Sequence, residues 1–113
     1  MKIIKKGQAT KHKNSEACIA IEYPLGDKDI SGAVIKLNGR YPNNNSVLNL
    51  KCKELAYIIQ GSGMLVVEDK KTKVKEGDFV LIEAGEKYYW EGKMEMFVPC
   101  APAWYPEQHK EVI

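Results

Sequence analysis

The feature that most constrains this chain is the short spacing of its turn-forming residues. Glycine, proline, asparagine and aspartate recur at short intervals, and no apolar period of about 3.6 residues lasts long enough to predict a helix. Between the turns lie runs rich in β-branched and aromatic residues. Gly61 and Gly63 are expected to bracket a tight reversal between two of these runs. The pattern predicts an all-β sandwich or barrel with eight strands, over residues 18–23, 33–37, 47–50, 55–59, 64–67, 79–82, 87–90 and 94–98.

The charge is nearly balanced overall but uneven along the chain. Seventeen Lys and Arg against fifteen Asp and Glu give a net charge of +2, too near neutrality for a dedicated nucleic-acid-binding protein. Residues 1–15 hold five lysines and no acidic residue. We expect residues 1–15 to form a basic, solvated arm in which His12 is exposed and has no role, and residues 16–113 to form a single domain. An arm that contacts an anionic partner is the alternative.

Apolar run length and cysteine usage exclude further classes of protein. The longest uninterrupted apolar run, residues 55–59, is far shorter than the roughly 18 residues that span a bilayer, and no apolar segment follows the basic N-terminus as in a signal peptide. Cys18, Cys52 and Cys100 are an odd number without paired spacing, which is typical of free thiols in a reducing compartment. We therefore expect a cytoplasmic protein that binds neither nucleic acid nor membrane.

One predicted strand is apolar on both faces. Alternation places Glu54 and Ile58 toward the interior, and Tyr57 and Ile59 on the opposite face. A small monomeric barrel does not need a second apolar face, so that face requires a cover. A homodimer is the simpler explanation, because isologous dimers are the commonest assembly. The alternative is an intramolecular cover from residues 15–23.

Two segments resemble the motifs of small single-domain cupins. Glu54 followed by Gly61 matches the end of the first motif, G-x5-H-x-H-x3/4-E-x6-G, and Gly77 followed by Gly85 matches the frame of the second, G-x5-P-x-G-x2-H-x3-N. The spacer between Gly61 and Gly77 suits the hairpin of compact members. The resemblance covers about residues 33–100. It implies a cupin-type jelly-roll barrel, or double-stranded β-helix, with a pocket at one end.

The metal ligands of metal-binding cupins are mostly missing. The resemblance implies two His and one Glu from the first motif and one His from the second, but residues 45–50 contain no histidine and Tyr88 stands at the second-motif position. Glu54 alone remains, and a single carboxylate does not hold a transition metal tightly. We therefore predict neither a metal nor another cofactor. The alternative is a zinc site of Cys52, Glu54 and His109, because Cys52 precedes Glu54 by two residues and would share its face.

Aromatic residues are concentrated toward the C-terminus, where seven of the ten lie at or after Phe79. If the position of the missing histidine is the guide, Tyr88 and Trp90 project into the pocket, while Tyr89 points outward into a packing or interface role. Aromatic walls with a few polar groups suit small organic ligands such as sugars. Simple filling of the barrel is an equally good explanation for Tyr88.

The C-terminal tail, residues 99–113, is rich in proline. Three prolines within eight residues exclude a central strand and predict an extended path across the surface. A similar Pro-Ala-Trp-x-Pro-Glu-Gln-His ending occurs in some small bacterial cupins of unassigned activity, which suggests that the tail closes the pocket or docks on the barrel. Trp104 and His109 are then candidate site residues, with His109 as a hydrogen-bonding or acid–base group. A surface histidine is the alternative.

These features favour a metal-free, non-catalytic cupin that binds a small polar organic ligand, either sugar-like or a small acid. The alternative is a metal-independent enzyme similar to sugar or sugar-nucleotide isomerases and epimerases, with Glu54 as base and Tyr88 as acid. A metal-dependent dioxygenase or isomerase is disfavoured because its ligands are missing. The predicted ligand-binding residues are Cys52, Glu54, Tyr88, Trp90, Trp104 and His109.

Overall fold

A computed structural model describes the whole chain, residues 1–113, as nine strands and two short 3-10 turns. The prediction of an all-β protein with very little helix is confirmed. No helix is long and apolar enough to cross a membrane. The 3-10 turns lie at Lys6–Gln8 and Pro106–Gln108. The strands are β1 (Thr10–Ser15), β2 (Cys18–Glu22), β3 (Ser31–Tyr41), β4 (Ser46–Asn49), β5 (Lys53–Val67), β6 (Lys70–Lys75), β7 (Phe79–Ile82), β8 (Tyr88–Ala101) and β9 (His109–Val112).

All nine strands belong to one antiparallel sheet that curls into a jelly-roll barrel, as predicted. The main path runs β1-β2-β3-β8-β4-β9, and β5 pairs with β6, β7 and β8. β8 is the central strand, because it pairs with β3 from Ser31 opposite Cys100 to Tyr41 opposite Trp90, and with β5 on its other edge. This arrangement places the inward side chains of β3, β5 and β8 around one interior.

β5 and β8 are each continuous where the sequence analysis predicted two separate strands. The expected reversal at Gly61 and Gly63 is wrong, because both glycines lie within β5 and face β8 at very short range. A Cβ added at Gly61 would lie 2.1 Å from the Lys93 carbonyl oxygen, and one at Gly63 would lie 2.4 Å from that of Glu91. The glycines therefore permit close strand approach, which no local pattern distinguishes from a turn.

The alternation predicted for β5 is confirmed. Ala56 and Ile58 are buried, while Tyr57 and Ile59 are 43% and 40% exposed on the outer face. The alternative cover from residues 15–23 does not form, because β2 pairs edge to edge with β3 and extends the sheet. The outer face of β5 is therefore left open within one chain.

The basic N-terminal segment is partly a strand. β1 pairs with β2 from Thr10 opposite Glu22 to Ser15 opposite Cys18, so residues 10–15 form a sheet edge and not a free arm. Alternation explains this: the lysines of β1 occupy one face, and its uncharged polar residues occupy the face toward the barrel interior. A count of lysines along the segment does not reveal that division.

The proline-rich tail docks on the barrel. Residues 99–101 continue β8, and β9 pairs antiparallel with β4 from His109 opposite Asn49 to Val112 opposite Ser46. The prediction that the tail forms no central strand is wrong for residues 99–101, which pair with β3 and β5 as part of β8. β9 lies at the edge of the sheet, as expected of a tail that docks on the barrel.

Candidate functional site

The barrel encloses a cavity of about 680 Å³, bounded by β1, β2, β3, β8 and the tail. Its wall is mostly apolar, with the rings of Tyr41, Trp90 and Trp104 among the lining side chains. Small-molecule sites typically have volumes of roughly 300–1,000 Å³, with apolar walls and a few convergent polar groups. The cavity has the size and lining of such a site.

A hydrogen-bonded carboxyl–phenol pair lies in this cavity. The Tyr88 hydroxyl donates to Glu54, 3.3 Å from Oε1 and 3.4 Å from Oε2, and Asn49 Nδ2 donates to Oε1 at 2.8 Å. Burial raises the pKa of Glu54, and the hydrogen bonds from Asn49 and Tyr88 partly oppose this. Burial, with the neighbouring carboxyl, also raises the pKa of Tyr88. Glu54 thus holds its proton more tightly than an exposed glutamate does.

His109 forms a second polar group in the same cavity. Its Nε2 lies 2.9 Å from the Tyr41 hydroxyl, and its Nδ1 lies 2.8 Å from Asn49 Oδ1. The imidazole stacks nearly parallel to the Tyr41 ring and makes a tilted contact with Trp104, with ring centroids 5.5 Å apart. Burial lowers the pKa of His109 below its ordinary value of 6.5. The imidazole is therefore neutral at pH 7.

Gln108 sets the orientation of the Asn49 amide. Its Oε1 accepts from the backbone N–H groups of Lys51 and Cys52, both at 3.2 Å, so its Nε2 is the atom that donates to Asn49 Oδ1 at 2.9 Å. Asn49 Nδ2 is then the atom that donates to Glu54. Both amides are buried, and each is assigned from the partners it must satisfy.

This orientation also decides the tautomer of His109. Because Asn49 Oδ1 is an acceptor, the Nδ1 of the neutral imidazole carries the proton and donates to it. Nε2 is then the unprotonated nitrogen, and it accepts from the Tyr41 hydroxyl. A chain of hydrogen bonds therefore joins Tyr41, His109, Asn49, Glu54 and Tyr88. It places two proton acceptors, a carboxyl and a neutral imidazole, in one cavity.

The structure gathers five of the six predicted ligand-binding residues in the cavity wall: Glu54, Tyr88, Trp90, Trp104 and His109. Cys52 is fully buried outside that wall, with its Sγ 3.8 Å from the Ala103 carbonyl oxygen. Although it is two residues from Glu54, Cys52 precedes the start of β5, so strand alternation does not apply to it.

Sequence reasoning missed Tyr41, Asn49 and Gln108. Asn49 lies in residues 45–50, where the cupin resemblance points only to metal-ligating histidines, and Gln108 is adjacent to the predicted His109 in the tail. Asn49 and Gln108 are the buried polar residues of the chain, while Tyr41 is half-buried and bonded to His109. These signals of a role appear only in the folded chain. His12, expected to have no role, lies on the cavity side of β1 with its side chain exposed to the mouth.

The residues present do not fit the metal of metal-binding cupins. No group of three His, Cys, Asp or Glu side chains is placed to hold a metal ion. The alternative zinc set of Cys52, Glu54 and His109 is therefore not assembled. Glu54, the one family ligand retained, already accepts hydrogen bonds from Asn49 and Tyr88.

The curled antiparallel sheet and its interior pocket define a jelly-roll barrel of the cupin type. A family model described as the Cupin domain matches residues 51–98, which include most of β5 to β8. The barrel therefore has the cupin fold. No curated protein matches it in sequence.

Three solved proteins with the same fold are Pac13, ectoine synthase and KdgF. Pac13, described as a unique nucleoside dehydratase, is 14% identical to this chain with a TM-score of 0.89, and the match covers 99% of this chain and 91% of Pac13. A Streptomyces PAC13 variant solved with uridine matches with a TM-score of 0.90. Ectoine synthase from P. lautus is 15% identical with a TM-score of 0.75, covering 100% and 91%. KdgF from Halomonas sp. is 11% identical with a TM-score of 0.70, covering 90% and 94%. At these identities the likeness shows the fold.

Proposed function

We propose that this cupin binds a small polar organic molecule inside its barrel. The observation that carries the proposal is the Glu54–Tyr88 pair, hydrogen-bonded within an apolar, aromatic cavity of about 680 Å³. Apolar walls bury a ring or carbon skeleton, and a few fixed polar groups orient it.

A nucleoside or sugar is the first ligand to test. The volume of the cavity suits a molecule of that size. A structural neighbour is described as a nucleoside dehydratase and has been solved with uridine, which supports the choice of uridine as a first probe. Trp90 and Trp104 in the wall offer surfaces for a planar or sugar ring.

The test is a thermal-shift screen of nucleosides and sugars followed by calorimetry on any hit. Glu54→Gln and Tyr88→Phe should retain the native circular dichroism spectrum and lower the ligand-induced rise in Tm. Tyr89→Phe is the matched control, because Tyr89 is the next residue along β8 and packs outside the cavity, with the Arg40 guanidinium 3.8 Å from its ring centroid. If no compound raises Tm, or if all three variants respond like the wild type, the proposal is wrong.

A metal-independent acid–base enzyme is the second candidate. The observation in its favour is that a carboxyl and a phenol, from Glu54 and Tyr88, lie in one cavity and are hydrogen-bonded to each other. In such a reaction the Glu54 carboxylate takes a proton from a carbon next to a carbonyl, and the carbonyl oxygen receives the electron pair and a proton from Tyr88. Glu54 then returns a proton to carbon and an enol hydroxyl returns a proton to Tyr88, which restores both residues and completes an isomerisation or epimerisation.

Solvent exchange separates the enzyme from the binding protein. Ligand incubated with the protein in deuterated water should exchange a carbon-bound hydrogen for deuterium if Glu54 acts as a base, as followed by proton NMR. Glu54→Gln should abolish the exchange, while Tyr89→Phe should leave it unchanged. Binding without any exchange would assign the non-catalytic function.

The outer face of β5 supports a homodimer. Phe79, Tyr57 and Phe97 lie side by side on neighbouring strands and are 67%, 43% and 46% exposed. A continuous exposed apolar row of this kind marks an interaction surface. Analytical ultracentrifugation should give a dimer for the wild type and a monomer for Tyr57→Glu. A monomeric wild type at micromolar concentration would contradict this.

A cytoplasmic location is supported by the thiols. Cys18, Cys52 and Cys100 are all buried and unpaired, which is usual for proteins of reducing compartments. Fractionation of the native host should recover the protein with cytoplasmic markers, and recovery from an oxidising compartment would contradict the proposal.

A further inference from the structure

The cavity has an unusual charge pattern for this chain. The chain carries seventeen lysine and arginine residues, yet none of them lines the cavity. Three acidic residues do line it: Glu54 in the interior, and Glu22 and Asp27 elsewhere in the wall. Apart from the imidazoles of His12 and His109, the cavity has no basic side chain.

Strand alternation produces this separation. On β1, Thr10 and His12 line the cavity while Lys11, between them, does not. On β3, Ile35 lines it, and the adjacent Lys36 does not. Because successive side chains of a strand point to opposite faces, these lysines are directed to the outside of the barrel.

Two cations close to the cavity wall are engaged by other groups of the protein. Lys2 approaches its rim, but the ammonium donates to the carbonyl oxygens of Leu25 at 2.8 Å and Gly26 at 3.5 Å. The Arg40 guanidinium stacks on Tyr89 outside the wall. Neither cation is presented to a ligand in the interior.

From this pattern we infer that the ligand is unphosphorylated and carries no other fixed negative charge: it is a neutral or cationic molecule such as a nucleoside or an amino sugar. This inference rests on the proposed binding function. Buried phosphates and carboxylates are held by arginine, lysine or the N-terminus of a helix. The cavity offers no lysine, arginine or helix N-terminus, and the carboxylates of Glu22 and Asp27 in its wall would repel an anion. Sugar nucleotides and small acids are thereby disfavoured among the expected ligands.

Matched compounds test the inference. We would measure binding by calorimetry at about pH 8, where free histidine is uncharged. One series is 5′-amino-5′-deoxyuridine, uridine and uridine 5′-monophosphate, and the other is glucosamine, glucose and glucose 6-phosphate. The phosphate should bind at least about tenfold more weakly than the neutral member of its series, as expected for like charges brought together. Equal or tighter binding of the phosphate would overturn the inference. Failure of every compound to bind would instead contradict the proposed function, and the inference would fall with it.

A charge-conserving swap tests whether the wall causes the discrimination. The double variant Thr10→Lys, Lys11→Thr keeps the net charge and moves one ammonium from the outer face to the cavity. It should reduce the preference for the neutral compound over its phosphate by at least about tenfold. Lys11→Thr alone is the control and should leave the preference unchanged.

Glu22→Gln is a second variant in case the swap disturbs β1. It removes a negative charge from the wall and should weaken the discrimination in the same direction. An unchanged preference in both variants would refute the role of the cavity charge.

Discussion

Replacement of Glu54 by glutamine should make the protein more stable at neutral pH. Burial raises the pKa of this carboxyl above its ordinary value of 4.5, so ionising it inside the barrel is unfavourable. Glutamine has nearly the same shape and is never charged. Its Oε1 can still accept from Asn49 and Tyr88, which at 2.8 Å and 3.3 Å are the partners of Glu54 Oε1. The variant therefore removes the charge while keeping the hydrogen bonds of that oxygen.

The sign and size follow from proton linkage. Between pH 4.5 and the raised pKa of Glu54, the folded state binds more protons than the unfolded state, so the free energy of unfolding falls as pH rises. The slope approaches about 1.4 kcal/mol per pH unit, and each unit by which the pKa is raised lowers stability by about 1.4 kcal/mol above the folded pKa. Below pH 4.5 the carboxyl is mostly protonated in both states, so the penalty vanishes there. Glu54→Gln should match the wild type in acid and exceed it at neutral pH.

The assay is urea unfolding from about pH 4 to pH 8, with the m-value used to confirm a constant transition. Glu91→Gln is the control, because it makes the same chemical change at an exposed position of β8. Its stability should follow the wild type at every pH. If the free energies of unfolding of the wild type and Glu54→Gln change in parallel with pH, burial does not raise the pKa of Glu54. If Glu54→Gln is less stable throughout, hydrogen bonds to the carboxylate outweigh its burial.

Three further predictions concern the scaffold and the buried network. Gly61→Ala should lower the free energy of unfolding by several kcal/mol, because its Cβ would lie 2.1 Å from a backbone oxygen. Gly77 has the same φ of +90° but open space around it, so Gly77→Ala should lower the free energy of unfolding by only about 1–2 kcal/mol. Equal losses in the two variants would refute the close-approach argument. Nitrogen-15 NMR should find neutral His109 protonated on Nδ1, with a pKa below 6.5. Asn49→Ala should abolish that tautomer preference. A wild-type His109 protonated on Nε2 would contradict the assigned chain of hydrogen bonds. Burial raises the pKa of Cys18 to about 11, so thiol reagents should label it slowly until the protein unfolds. Rapid labelling of Cys18 in the native protein would contradict its burial.

Much of the fold could be predicted because its signals are local. The spacing of turn residues indicated an all-β chain, and alternation correctly separated Ile58 from Tyr57. The errors arose where one local pattern has two meanings. Gly61 permits a turn as readily as a close approach to another strand, and only the pairing with β8 selects the second.

The candidate site was predictable only in part. Glu54 and Tyr88 came from the cupin resemblance, and the structure hydrogen-bonds them to each other. Asn49 could not be predicted, because its partners Gln108 and His109 lie 59 and 60 residues away along the chain. They meet only because β9 pairs with β4, and no local propensity specifies which edge a terminal strand will join.

The amino-acid sequence by itself determined the strand character of the chain, the alternation of side chains between the two faces of a strand, and the loss of the cupin metal histidines, since each depends on residues within a few positions of one another. Tertiary structure decided the rest. Long-range strand pairing brought an imidazole and a carboxyl onto one buried amide and directed the lysines of β1 away from the cavity. Both outcomes depend on which strands become neighbours, and that choice is made by the packing of the whole barrel.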